Sequence, residues 1–270
     1  MSKTHLILFL LTLITTLVAG AIQQGVNLLN DPGGIWRGIP FSFTLIAILA
    51  AHEFGHYFMA RRHEVDVTLP YFIPAPSFIG TFGAFIKMKS PLLDRRMLLD
   101  IGAAGPVAGL IAALPVIVVG FALSEVRPVT SEDGLSLGSS LLFSILGWIV
   151  HGSLPRGMDI VLHPIAFSGW IGLLVTCLNL LPVGQLDGGH VAYAVLGRRQ
   201  RFLARVIFLI LIVLGMTSWS GWLIWAVILY VMGLSHPPVV YEWVPLDRRR
   251  RIIGWASMGI FVLTFTPAPF

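Results

Sequence analysis

The sequence predicts an all-α polytopic membrane protein with about six to seven transmembrane helices and a re-entrant loop or short β-hairpin between the second and third. Three observations predict it. Of the 270 residues, 56% are hydrophobic and only 11% charged, with a mean hydropathy of +0.85; soluble domains carry roughly 25% charged residues. The apolar residues gather into seven runs of bilayer length or just under it, at 5–22, 41–60, 98–123, 163–181, 203–219, 220–235 and 252–266. The basic residues between these runs fall almost entirely on one side.

The first run resembles the apolar region of a signal peptide, but little charge precedes it and no Ala-x-Ala site follows, so it reads as a retained span. The second brings eleven uncharged residues, Phe41–Ala51, straight into His52-Glu53-Phe54-Gly55-His56. After it, Thr68–Lys89 carries Pro70, Pro74, Pro76, Gly80 and Gly83 before the β-prone run Ala84–Lys89. Helix-broken backbone at membrane depth must be buried or line a cavity. Hence the re-entrant segment, with a strand expected at Ala84–Lys89. In the third run Gly105, Ala108, Gly109 and Ala112 form a small-residue stripe for close helix packing. Leu141–Val150 is too short to cross and reads as an interfacial or buried helix. Pro182 and Gly184 end the fourth run. The last two runs sit near the lower length limit for a span, which allows a count of six. With no internal repeat or long linker, residues 1–270 read as one integral membrane domain. The lone cysteine, Cys177, rules out an intrachain disulfide and any cysteine-rich zinc site.

Orientation follows from charge. With a cytoplasmic N-terminus, the inner segments hold Lys3, Arg61, Arg62, Lys87, Lys89, Arg95, Arg96, Arg198, Arg199, Arg201, Arg205 and Arg248 to Arg251, which is 15 of the 18 Lys and Arg. Only Arg37, Arg127 and Arg156 lie outside, where Asp31, Glu125, Glu132, Asp133 and Asp159 also fall. This arrangement predicts a plasma (inner) membrane protein. The net charge of +5 reflects topology, and no aromatic-interleaved patch suggests a nucleic-acid partner. Arg61 marks the cytoplasmic end of the second span. His52 lies nine residues earlier, roughly 13 Å deep at 1.5 Å per residue.

The chemistry sits in the second span. In HExxH the two histidines lie one helical turn apart, so His52 and His56 share a face and can grip one Zn²⁺, with Glu53 beside them as general base. Ionisable groups at this depth are expensive unless they function. A catalytic zinc needs a third protein ligand and an open position for water. Asp187 is a candidate, because Gly188-Gly189 after Pro182 and Gly184 would let the chain turn its carboxylate to the metal; from the residues alone His190, His163 and Glu64 stand beside it.

His52–His56 within a span, Gly102-Ala103-Ala104-Gly105-Pro106, and Asn179-x-x-Pro182-x-x-x-Leu186-Asp187-Gly188 together resemble the site-2 protease family of intramembrane zinc metalloproteases. The resemblance covers roughly residues 41–197, the expected catalytic core. It implies one zinc per chain on His52, His56 and Asp187, Glu53 as base, Asn179 near the catalytic centre, and single-span membrane proteins in the bilayer as substrates. Unlike many members the chain is expected to have no PDZ or CBS domain, since the outer loop of about 124–162 is too short for one. The leading reading is hydrolysis of substrate peptide bonds within the bilayer, nearer its cytoplasmic face. A prenyl-protein-type zinc protease would need a later intramembrane Glu, which is lacking. The reading from another class is a zinc transporter using the same His/His/Asp set, but transporters favour inverted repeats, and none is evident. Glu53 also separates the two, because a transit site needs no general base.

Overall fold

A computed structural model describes residues 3–128 and 136–270, and it is mostly helical. Glu132 and Asp133, two of the acids assigned above to the outer side, lie outside the described residues. α1 (Lys3–Gln23) leads through a 3-10 segment, Pro32–Gly38, into α2 (Ile39–Arg62), the helix of the His52–His56 motif. β1 (Tyr71–Pro74), β2 (Thr81–Phe85), α3 (Arg95–Ala122), β3 (Glu125–Pro128), α4 (Leu141–His151), β4 (Met158–Val161) and α5 (Pro164–Asn179) follow. Next come α6 (Asp187–Leu196), α7 (Gln200–Thr217), α8 (Gly221–Met232) and α9 (Arg248–Thr264).

Among the described residues, four stretches are long and apolar enough to cross a bilayer: Lys3–Gln23, Pro32–Arg62, Arg95–Ala122 and Asp187–Thr217. The sequence alone suggests six to seven, and the difference is one of length. At 1.5 Å per residue, α5 is about 24 Å long and α8 about 18 Å, against a hydrocarbon core of ~30 Å. α9 spends its first turn on Arg248 to Arg251. The fourth long stretch contains an element the sequence reading lacks. Between the expected runs 163–181 and 203–219, the chain starts α6 at Asp187 and passes through a 3-10 turn, Gly197–Arg199, into α7.

The strand between the second and third spans also lies earlier than expected. β2 pairs antiparallel with β1, Tyr71 opposite Phe85 and Ile73 opposite Gly83. It shares only Ala84 and Phe85 with the expected Ala84–Lys89. The turn decides this: Gly80, at φ +82°, accepts the Ala75 N–H at 3.1 Å and so sets which residues pair. Of the remaining expected residues, 86–89, Met88 makes an isolated bridge, to Val67.

α2 lies at the centre, against α3 and α5, because it has apolar residues all round: Phe41, Leu45 and Leu49 meet Ala113, Ile117 and Phe121 of α3 and Trp170, Ile171 and Leu174 of α5. Hydroxyl pairs pin these helices, Thr16 to Ser42 at 2.6 Å and Thr44 to Ser168 at 2.5 Å. Their partners are internal, as hydrocarbon surroundings require. The outer faces of α1, α7 and α8 expose Ile7, Ile14, Leu209, Val213, Ile224 and Val227, a belt suited to lipid tails. At the basic end Arg250 grips Asp100 of α3, with Nε 2.9 Å from Oδ1 and Nη2 2.7 Å from Oδ2, and His63 at the end of α2 donates to the same carboxylate at 2.9 Å.

Candidate metal centre

The 3.6-residue period of α2 puts His52 and His56 on its buried face, 3% and 7% exposed. Their Nε2 atoms stand 3.2 Å apart, and Asp187 Oδ2 lies 3.3 Å from the first and 3.2 Å from the second. The His56 tautomer is settled by Ile101, whose carbonyl accepts from Nδ1 at 2.8 Å, leaving Nε2 as a lone pair aimed at the cluster. Two imidazole nitrogens and a carboxylate oxygen converging in this way suit a cation. Zinc bonds of 2.0–2.2 Å to such ligands put neighbouring ligand atoms about 3.3–3.6 Å apart on a tetrahedron. The observed edges are 3.2–3.3 Å, so the donor set and its spacing fit zinc.

α3 forms the rear wall. A Cβ on Gly105 would stand 2.0 Å from His56 Nε2, and one on Gly109 would stand 3.0 Å from His52 Nδ1. The small-residue stripe thus seats the two rings as well as packing helices. Gly102, Gly105 and Gly109 at helical spacing opposite HExxH were the available signal for this.

Asp187 arrives through the break after α5. Pro182 and then Gly184, at φ +58°, turn the chain, and Leu186 starts α6 with no side-chain cap. The first turn of α6 lies so close to the break that a Cβ on Gly188 would stand 1.9 Å from the Leu180 carbonyl oxygen. Gly188-Gly189 therefore serves close approach, where the sequence suggested a turn. Asn179, the last residue of α5, brings its Nδ2 to 3.2 Å from His52 Nε2. Glu53 is buried, 6% exposed, and accepts a hydrogen bond from the Ile86 backbone just past β2. Sequence reasoning missed both the Ile86 and Ile101 main-chain partners, because backbone groups leave no trace in residue type.

The other candidates for a third ligand lie apart. His163 is the N-cap of α5, at the opposite end from Asn179, and its Nδ1 accepts the Ile165 N–H at 3.3 Å. Glu64 occupies the exposed turn after α2 at φ 58°. His190 shares α6 with Asp187, but its Nδ1 contacts His236 at 2.8 Å. Among the described residues, the group of His, Cys, Asp or Glu able to hold a metal ion is His52, His56 and Asp187.

Fold and site together define a helical membrane protein with an HExxH metal centre buried among its helices. Residues 40–218 match the family model of peptidase family M50, and the chain belongs to that family, the site-2 proteases that the motifs resemble. It is similar to the probable chloroplastic zinc metalloprotease EGY1 of Arabidopsis thaliana, 29% identical over 97% of this chain and 52% of that protein. It is also similar to EGY1 of Oryza sativa subsp. japonica, 31% identical over 85% of this chain and 40% of that protein. A third relative is the probable chloroplastic zinc metalloprotease EGY2 of Arabidopsis thaliana, 28% identical over 86% of this chain and 42% of that protein. The chain thus spans about half the length of these curated relatives, or less. No solved structure matches it.

Proposed function

We propose that this chain is an intramembrane zinc metalloprotease, with residues 41–197 as its catalytic core, cleaving single-span membrane proteins within the bilayer. The observation that carries this reading is the convergence of His52, His56 and Asp187 at separations close to the edge lengths of a zinc tetrahedron. Membership of peptidase family M50 and relatives named zinc metalloproteases support it.

His52, His56 and Asp187 are the proposed ligands. Zinc, when bound, supplies a water with pKa near ~7 and a Lewis-acid contact for the scissile carbonyl. Glu53, adjacent to the first ligand, takes the proton of the attacking water and returns it to the leaving amine. Asn179 Nδ2 donates to the developing oxyanion. A substrate helix must unwind before attack, and main-chain pairing with the edge of β2 would hold the unwound segment. The hydrogen bond from Ile86 to Glu53 brings the end of that strand to the general base.

α5, α8 and α9 lie within the bilayer beside the four long stretches, which gives six to seven crossings when their non-helical flanks are counted. The basic loops face the cytoplasmic side of a plasma membrane on charge distribution alone; the relatives named chloroplastic belong to another bilayer.

The test is cleavage of a panel of tagged single-span proteins by the detergent-purified chain, with and without chelator, and by Glu53→Gln. Cleavage that chelator stops and Glu53→Gln abolishes while keeping zinc is expected, because the amide keeps the shape but cannot take the proton. A Glu53→Gln variant cleaving near the wild-type rate would overturn the general-base assignment and favour zinc transport.

A further inference from the structure

The break that delivers Asp187 is buttressed by the segment following α8. Gly184 donates its N–H to the Leu234 carbonyl at 2.9 Å. Gln200, fully buried at the start of α7, donates from Nε2 to the carbonyls of Pro182 at 3.3 Å and Leu234 at 3.5 Å, while its Oε1 accepts the His236 N–H at 3.2 Å. His236 then reaches α6. Its Nδ1 lies 2.5 Å from the Pro237 carbonyl oxygen, which can only accept, so Nδ1 carries the proton and Nε2 is a lone pair. His190 Nδ1, 2.8 Å from that lone pair, must therefore be the donor. Tyr193, also on α6, stacks on the His236 ring at 4.6 Å. His190 lies three residues after Asp187, and its Cβ closes on α3 where Gly102 leaves room: a Cβ there would stand 2.8 Å away.

We propose that His190 and His236, keyed by Gln200, are positioning residues for Asp187. They set the rotation of α6 about its axis, and through it the aim of the Asp187 carboxylate at His52 and His56. Local structure does only part of this: Gly188 and Gly189 pack α6 against the preceding break, but Leu186 offers no side-chain cap to fix its first turn. At a side-chain radius of about 5 Å, a 20° rotation of α6 moves the carboxylate by about 1.7 Å, against a ligand tolerance of about 0.2 Å. This proposal rests on Asp187 being a zinc ligand.

The experiment is zinc affinity of the full-length protein in detergent, by competition with a chromophoric chelator, alongside thermal melting. His190→Phe and His236→Phe should each weaken zinc binding about 10- to 100-fold, the usual effect of losing an outer partner. The double variant should be little worse than either, because both break one device. His190→Asn, whose amide can replace the Nδ1 donor, should recover most of the loss. If His190→Phe fails to fold, His236→Phe, altered on the far side of the contact, carries the same expectation. Wild-type affinity in the phenylalanine variants, with Asp187→Ala having lost zinc, overturns the positioning role alone. So does His190→Asn binding as weakly as His190→Phe at an unchanged melting temperature. Wild-type affinity in Asp187→Ala overturns the ligand assignment, and this proposal with it.

Discussion

Gly105→Ala puts a methyl group into the wall behind the metal centre. The added Cβ would stand 2.0 Å from His56 Nε2, 2.4 Å from Cδ2 and 2.5 Å from Cε1. Non-bonded heavy atoms settle at about 3.5–4.0 Å, so the ring must retreat by about 1.5 Å. It has little freedom to do so. Its Nδ1 is tied to the Ile101 carbonyl at 2.8 Å, and α2 already rests on α3 so closely that a Cβ on Gly55 would stand 2.5 Å from the Ala104 carbonyl oxygen. A displacement of about 1.5 Å is several times the ~0.2 Å tolerance of a metal–ligand distance, so His56 should leave the proposed ligand set. Losing an outer partner alone costs 10- to 100-fold in affinity. Losing a ligand should exceed tenfold, or about 1.4 kcal/mol. Overpacking should also destabilise the fold by about 1–3 kcal/mol. Chelator competition in detergent reads the first effect and thermal melting the second. Gly109→Ala is the control: its Cβ would stand 3.0 Å from His52 Nδ1, which needs only about half an ångström of relief and should cost less zinc affinity. Wild-type zinc affinity in Gly105→Ala, or a larger loss in Gly109→Ala, would refute the reasoning.

Elemental analysis should find one zinc per chain, and Asp187→Ala should lower it; full retention there with loss in His190→Ala would exchange the third ligand. Cysteines replacing Arg199 and Arg249 should resist an impermeant thiol reagent in intact cells while one replacing Arg156 labels, and the reverse pattern would invert the topology. Asp247 caps α9, and hydrogen bonds from the Arg250 backbone and guanidinium hold its carboxyl down to about 2. A depressed carboxylate contributes stability above its unfolded value of about 4 and loses it as pH falls toward about 2. The wild-type melting temperature should therefore fall more steeply than that of Asp247→Asn across this window, and parallel curves would dismiss the cap as a pH-dependent contributor.

The HExxH half of the candidate site was legible because it is local. His52, Glu53 and His56 lie within one turn and a half of a single helix, so the period of the helix alone determines that the two imidazoles share a face. The membrane class was legible for a similar reason: composition and the spacing of charges act segment by segment, whatever the packing. Turn chemistry also marked a break after α5 at Pro182 and Gly184.

Tertiary structure decided what depends on approach between distant segments. Residue type left Asp187, His190, His163 and Glu64 as alternatives, and the α5–α6 break brings Asp187 to His52 and His56 while His190 turns to His236. The Gly80 turn moved the strand to Thr81–Phe85, since strand pairing follows turn register more than β-propensity. Gly105 and Gly109 could be read as part of a packing stripe, but only the approach of α2 and α6 to α3 shows that the space they and Gly102 leave is filled by His56, His52 and His190. The main-chain groups of Ile86 and Ile101 are chemically the same at every residue, so their pairing with Glu53 and His56 is a property of the fold alone.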